Sequence, residues 1–159
     1  YSEASEAKPL KEVFKPYQYF GENDVVFAKI TPCFENGKLG VMRNLTNGIG
    51  FGSSEFVVLR PKSESRSDFV YYCLLNNVFR KNGAKNMSGA VGHKRVTKEY
   101  YFNYQIPVPP LDIHDKFVEK FDEIWTHVST IAKIKHKQKV ALAALKSAIL
   151  AQELQSEAA

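Results

Sequence analysis

The sequence predicts an α+β chain: a small mixed or antiparallel sheet with short helices over residues 1–111, then one long coiled-coil helix over residues 112–155. Three observations predict it. Short β-branched runs bounded by Gly and Pro occupy roughly the first two thirds, the pattern of strands in a compact domain. Pro109-Pro110 closes that region. Beyond it, Phe117, Phe121, Ile124, Val128, Ile131, Leu142, Leu145 and Ile149 fall on the a and d positions of a single heptad register.

Composition agrees with one folded domain and a helix. The chain has 159 residues, 44% of them hydrophobic and 13% aromatic, which fits a globular chain and not a disordered one. Its net charge of +5 is compatible with a nucleic-acid partner without requiring one. Cys33 and Cys73 are too few and too distant for a disulfide framework or a zinc site, so ordinary packing is expected of both. No run approaches the roughly 20 apolar residues that cross a bilayer, and no secretory h-region opens the chain. A cytoplasmic location is expected. The sequence starts at Tyr1 without Met, so residues upstream are expected to be missing.

Taken in order, Ser2 to Lys15 is charged and without period, and reads as a loop or poorly ordered arm. Asp24 to Ile30 is a nearly continuous apolar run between Gly21 and Pro32, the signature of a buried strand. Gly40 to Leu45 reads as a second strand, followed by the turn signal Asn47-Gly48. Glu55 to Arg60 makes a third, ended by Pro61. Three successive strands predict a meander or barrel-like sheet. Lys62 to Ser67 is polar loop. Ser67 or Asp68 is expected to cap a helix that runs to about Arg80 with Tyr71, Leu74, Leu75, Val78 and Phe79 on its apolar face, and Gly83 is expected to stop it. Asn86 to Arg95 reads as loop, Thr97 to Tyr100 as a capped helical turn, and Phe102 to Val108 as a last short strand.

Asp112 stands where the long helix needs an N-cap, and Asp115 adds favourable charge to its first turn. No Pro or Gly interrupts the segment, and Ala141, Ala143, Ala144 and Ala148 favour helix. About 40 residues at a rise of ~1.5 Å span on the order of 60 Å. A small domain cannot cover that length, so part of the seam is expected to meet a partner rather than fold back. Lys135 and Gln138 occupy the next a and d positions, a polar break that sets register or partner, or marks an exposed stretch.

Catalytic readings fail on context. Gly48-Ile-Gly-Phe-Gly52 superficially resembles a phosphate-binding glycine loop, but such a loop opens a helix, and here Ser53-Ser54 leads into a β-rich run. It reads as a turn or bulge. Asp24, Glu35 and Lys38 could form a nuclease-like acidic cluster, yet Asn36-Gly37 reads as a turn and no further acidic ligand is near. His93, His114, His127 and His136 are scattered, with no Cys or Ser at nucleophile spacing, and are expected at surface or seam positions. Neither a catalytic constellation, a metal site nor a cofactor is expected.

Binding readings do better. Lys29 to Lys38 ends a strand in a loop carrying Lys29, Thr31, Asn36 and Lys38; Asn can pair with adenine, and Lys with guanine or phosphate. Ser88 to Arg95 combines small residues, which permit close backbone approach, with His93, Lys94 and Arg95, while Lys81 and Lys85 extend its basic character. For any single cation a solvated surface role competes; two such loops in one small domain make the combined case.

These segments are also familiar. Asp24 to Lys38, Gly48-Ile-Gly-Phe-Gly-Ser-Ser-Glu-Phe56 and Gly92-His-Lys-Arg-Val96 resemble the target recognition domains of type I restriction-modification specificity subunits. Ile106-Pro-Val-Pro-Pro-Leu111, entering a long helix, resembles that family's junction between recognition domain and spacer helix. The four segments keep the family's order from Tyr17 to the C-terminus. One departure is His114 and its neighbours, where the family usually has Gln or Glu-Gln. Another is the start: family domains begin some tens of residues before the position of Tyr1 with a first strand, so this chain looks like a trimmed fragment or the product of a truncated gene.

The resemblance implies a non-catalytic reader of double-stranded DNA within a methylation and restriction complex. Methyltransferase subunits would supply S-adenosylmethionine chemistry and a restriction subunit could join them. The competing reading is the recognition part of an enzyme that cuts or modifies DNA itself. One recognition domain with one helix looks like a half subunit; a homodimer through the C-terminal helix would rebuild a two-domain reader of a palindromic split site. Phosphate contacts are expected from Lys29, Lys38, Lys85, Lys94 and Arg95, and base reading from Thr31, Asn36, Ser54 or His93.

Overall fold

Val25-Val-Phe-Ala28 is apolar at every position, so a strand built from it needs cover on both faces. It is the central strand of the domain, and all four residues are buried. The computed structural model describes residues 7–63 and 65–156, with side chains described to residue 152. In chain order its elements are α1 (Leu10–Val13), β1 (Gln18–Gly21), β2 (Val25–Ala28), β3 (Leu39–Val41), a 3-10 turn (Thr46–Gly48), β4 (Ile49–Gly52), β5 (Phe56–Leu59), α2 (Ser67–Leu75), α3 (Asn77–Lys85), β6 (Met87–Ser88), β7 (Arg95–Val96), α4 (Lys98–Phe102) and α5 (Leu111–Ser156). The architecture is α+β, with small antiparallel sheets and a long C-terminal helix, as expected.

Sheet order departs from a meander. β2 lies between β3 and β5, with Val26 opposite Gly40 on one side and Val58 on the other. The chain between β3 and β5 is drawn away because β4 pairs with β1 instead, Phe20 facing Gly50 and Gly21 facing Ile49. Glycine makes that pairing possible. A Cβ on Gly50 would come within 2.2 Å of the Phe20 ring, and one on Gly52 within 2.5 Å of the Phe56 ring. Gly48 to Gly52, expected as a turn or bulge, is therefore mostly a strand whose bare backbone lies beneath two aromatic rings. The turn signal Asn47-Gly48 does mark a turn, both residues having positive φ.

Val25, Phe27, Val41 and Val57 meet Val70, Leu74 and Phe79 from α2 and α3, with Phe34 and Val96, in one core cluster. Phe27, Phe34 and Phe79 meet edge to face, with ring centroids 5.6–6.0 Å apart. At the head of β2, Asp24 is 1% exposed and accepts from the Gly21 N–H at 2.6 Å and from Arg60 Nε and Nη2 at 2.8 and 2.7 Å. Burial alone would raise its carboxyl pKa; the hydrogen bonds from Arg60 and Gly21, with the Arg60 charge, outweigh this and hold it below the ordinary value. Asp24 thus belongs to a structural ion pair.

Several local expectations are corrected. The helix expected to reach Arg80 unbroken is two helices. Asn76 leaves helical geometry at ψ 136° and caps the second by accepting from the Val78 N–H at 2.8 Å. Arg66, not Ser67 or Asp68, precedes the first; the Ser67 hydroxyl instead donates to the Asn23 carbonyl at 2.6 Å. Gly83 does not stop α3 but sits buried within it, where a Cβ would meet the Phe34 ring at 2.4 Å. No strand forms over 102–108. Phe102 ends α4, and prolines 107, 109 and 110 have no N–H to offer a ladder, although Tyr104 and Ile106 still pack against the core. Residues 86–95, expected as loop, carry the short β6–β7 hairpin. The second strand is shorter than expected, at Leu39–Val41.

α1 interrupts the expected N-terminal loop; residues 2–6 of that segment, and Glu64 of the loop over 62–67, lie outside the described residues. Asp112 is not the cap of α5, which begins one residue earlier, and it pairs with Lys116 at 3.7 Å. Cys33 and Cys73 are free. The chain divides into two compact units, Tyr1–Val118 and Glu119–Ala159.

Within the first unit, the opening turns of α5 pack on α2. His114 is fully buried and stacks on Phe69 with ring centroids 4.0 Å apart, contrary to the surface or seam position expected of it. Phe117 meets Phe69 and Tyr72 edge-on at 5.2 and 6.4 Å. Arg66 grips Asp115 through Nε and Nη2 at 2.9 and 3.2 Å.

Candidate nucleic-acid interface

Where β2 runs out, its backbone binds two other segments. The Lys29 N–H donates to the Glu55 carbonyl at 2.9 Å, and the Lys29 carbonyl accepts from Val96 N–H at 2.9 Å. Thr31 N–H donates to the Lys94 carbonyl at 2.9 Å, and Ile30 bridges Arg95. The end of β2, the Ser53–Glu55 turn and the β6–β7 hairpin therefore form one ledge. Its unpaired backbone would otherwise face water, so these bonds fix the relative height of all three segments.

Side chains complete the ledge. Lys29 Nζ donates to the Ser54 carbonyl at 3.0 Å. Arg95 donates through Nε and Nη2 to the Glu55 carboxylate at 2.9 and 2.6 Å, and through Nη1 to the His93 carbonyl at 3.0 Å. That hydrogen bonding is the chief reason the Glu55 carboxyl stays below its ordinary pKa; partial desolvation opposes it, and the charges of Arg95 and Lys29 add to it. Arg95 is raised in turn, first by its hydrogen bond to Glu55. The Thr31 hydroxyl is engaged with Glu35, and Thr31–Pro32 is a cis peptide.

The hairpin tip is a built turn. His93 N–H donates to the Ala90 carbonyl at 3.0 Å with Gly92 at φ 81°, the geometry that gives glycine the third position of a type II turn. Gly89 has φ 118°, and a Cβ there would stand 3.0 Å from the His93 carbonyl oxygen. Val91, His93 and Lys94 project as exposed side chains.

Of the nine residues expected at a DNA surface, Lys29, Thr31, Ser54, His93, Lys94 and Arg95 meet on this ledge. Asn36 and Lys38 belong to the adjoining turn, held by backbone bonds to Pro32 and Cys33 at 3.0 Å each. Arg80 reaches over it: a Cβ on Gly37 would meet Arg80 Nη1 at 2.5 Å. Lys85 is exposed in the last turn of α3, beyond either group. Glu55 and Arg80 were not anticipated. Glu55 reads as the start of a strand, and nothing local connects it to an arginine 40 positions away.

Residues 6–141 match the family model described as "Type I restriction modification DNA specificity domain". That match covers most of the chain. The chain belongs to the type I restriction-modification DNA specificity family. It is 40% identical over 122 residues to the type I restriction enzyme EcoAI specificity subunit of Escherichia coli, and 36% identical over 120 residues to the EcoEI specificity subunit of the same organism. Each alignment covers 75% of this chain and 20% of the relative, so the chain spans about a fifth of the curated relatives it matches. A chain from a structure described as showing complex assembly and conformational transition of the type I R-M system superposes with a TM-score of 0.65 at 20% identity, over 85% of this chain and 31% of that one. The fold is therefore shared with that part of the neighbouring chain.

In the second unit of this specificity-family chain, Phe121, Ile124, Val128, Ile131, Leu142, Leu145 and Ile149 are between 37% and 68% exposed. Lys135 and Gln138 interrupt them and are exposed as well. No helix among the described residues is long and apolar enough to cross a membrane.

Proposed function

We propose that this chain reads one part of a divided double-stranded DNA site as a recognition module of a type I restriction-modification system, selecting sequence while other subunits perform the chemistry. The observation that carries the reading is the ledge: three separate segments bonded together at the end of β2, with Lys29, His93, Lys94 and Arg95 gathered on it. Phosphate contacts dominate affinity for a duplex and require cations at fixed spacing, whereas base reading requires donors on a rigid support. Lys29 and Lys94 fit the first need. Asn36, Lys38 and Lys85 would widen the footprint, and Thr31, with its hydroxyl already engaged, would contribute by position more than by its own donor.

Membership in a restriction-modification specificity family supports methyltransferase subunits, and a restriction subunit with them, as its partners. The apolar positions of α5 beyond Glu119 support pairing with a second long helix, and a second copy of this chain supplies one by symmetry. Such a protein would act in the cytoplasm, where its DNA is. The test is charge reversal. Lys29→Glu with Lys94→Glu should weaken binding to every duplex alike and flatten the dependence of log affinity on log salt by about 2. An unchanged salt slope would move the DNA surface elsewhere.

A further inference from the structure

The ion pair on the ledge leaves Arg95 in a particular state. A guanidinium carries five N–H groups. Nε and one Nη2 hydrogen are engaged by Glu55, and one Nη1 hydrogen by the His93 carbonyl. One N–H therefore remains on each terminal nitrogen, and N–H groups on the two terminal nitrogens of a guanidinium can make a pair of parallel hydrogen bonds. The side chain is nevertheless accessible, with 44% of it exposed while its Glu55 partner is 23% exposed. A free surface arginine samples many rotamers and loses that freedom on binding. This one is already held by a carboxylate on one side and by its own hairpin on the other. The hairpin is itself held by Thr31, Lys29 and the type II turn.

Two features separate such a group from a phosphate contact. Phosphate attraction rewards bare positive charge, and Glu55 cancels most of Arg95's. A planar, oriented pair of donors instead matches the O6 and N7 acceptors that guanine presents in the major groove, the commonest specific contact of arginine with DNA. From this geometry we infer that Arg95 reads a guanine through its two terminal N–H groups, and that Glu55 is the positioning residue that aims it. The inference rests on the DNA-reading function proposed above. It also moves Arg95 from the phosphate contacts to the base readers. On the ledge, the cations left for the backbone are Lys29 and Lys94, with Lys38 and Lys85 beyond it; none of the four forms an ion pair with a carboxylate among the described residues.

The experiment uses the chain together with methyltransferase subunits, and the half-site it enriches from random duplex. Each guanine of that half-site is replaced in turn by 7-deazaguanine, which keeps Watson–Crick pairing and removes the N7 acceptor. One position should weaken binding by about tenfold or more. Arg95→Lys, which keeps the charge and loses the fork, should bind without discriminating at that position alone. Glu55→Gln should lose most of the same discrimination while its affinity for unrelated duplex holds or rises, since a negative charge has gone. A merely structural Glu55 would change stability, followed by thermal melting, without changing which guanine matters. If a half-site is enriched but no guanine shows the effect, or Arg95→Lys keeps it, the inference is wrong and DNA reading stands. If no half-site is enriched, both fall.

Discussion

Replacing Asp24 by Asn should destabilise the domain by about 3 kcal/mol. The carboxylate is 1% exposed and accepts three hydrogen bonds, one from Gly21 N–H at 2.6 Å and two from Arg60 at 2.7 and 2.8 Å. An amide of the same shape offers one acceptor oxygen and sets an NH2 group against one of those donors. Breaking a buried ion pair costs roughly 3–5 kcal/mol. Here Arg60 is 63% exposed and can regain water, which places the cost at the lower end. For a domain of this size that is a fall in Tm on the order of 10–15 °C, read by circular dichroism at neutral pH. The pH dependence has a definite sign. Asp24's folded pKa is depressed below its ordinary 3.8, so its contribution is fully present above that value and is lost as pH falls through the lower, folded one. The wild-type chain should therefore lose stability below about pH 4, and the Asp24→Asn variant should show a shallower loss there. A variant within about 1 kcal/mol of wild type, or one with the same acid profile, would refute the reasoning.

Other outcomes follow from the packing. Gly83→Ala gains about 1 kcal/mol of helix propensity. Its methyl, however, would stand 2.4 Å from the Phe34 ring and 3.0 Å from the Tyr100 ring, so overpacking should prevail by roughly 1–2 kcal/mol in urea denaturation. A stabilised variant would contradict this. Both His114 ring nitrogens are buried without a hydrogen-bond partner among the described residues. His114→Phe keeps the stack on Phe69 and removes that desolvation cost, and should raise Tm by a few degrees. A fall would reveal a hydrogen bond in solution. Ile131→Glu with Leu142→Glu should weaken self-association at least about a hundredfold in sedimentation velocity, if α5 pairs through its seam. An unaltered monomer–dimer balance would place any dimer contact elsewhere.

The parts of this fold that were legible in sequence are those where one signal spoke alone. β2 is apolar throughout, α5 has no breaker, and both stand where the pattern put them. Misreadings came where a second force competed. Asn76 looks like a mid-helix polar residue, but it caps a new helix, which no periodicity reveals. Gly50, Gly52 and Gly83 read as turns or stops because a sequence does not show the rings of Phe20, Phe56 and Phe34 that need their space. Prolines 107, 109 and 110 defeated the short strand expected over Phe102 to Val108. The ledge was half visible: its cations lie in two recognisable loops, whereas Glu55 joins them across 40 residues that only folding closes.

The central claim is that this chain selects DNA sequence. It is tested most directly by incubating the chain and methyltransferase subunits with a random-sequence duplex pool at physiological salt, then sequencing what is retained. The account predicts enrichment of a motif with two defined parts and a spacer of fixed length, with retention of the whole pool falling when Lys29 and Lys94 are reversed in charge. Retention without any motif, or the same motif from the methyltransferase subunits alone, would contradict it.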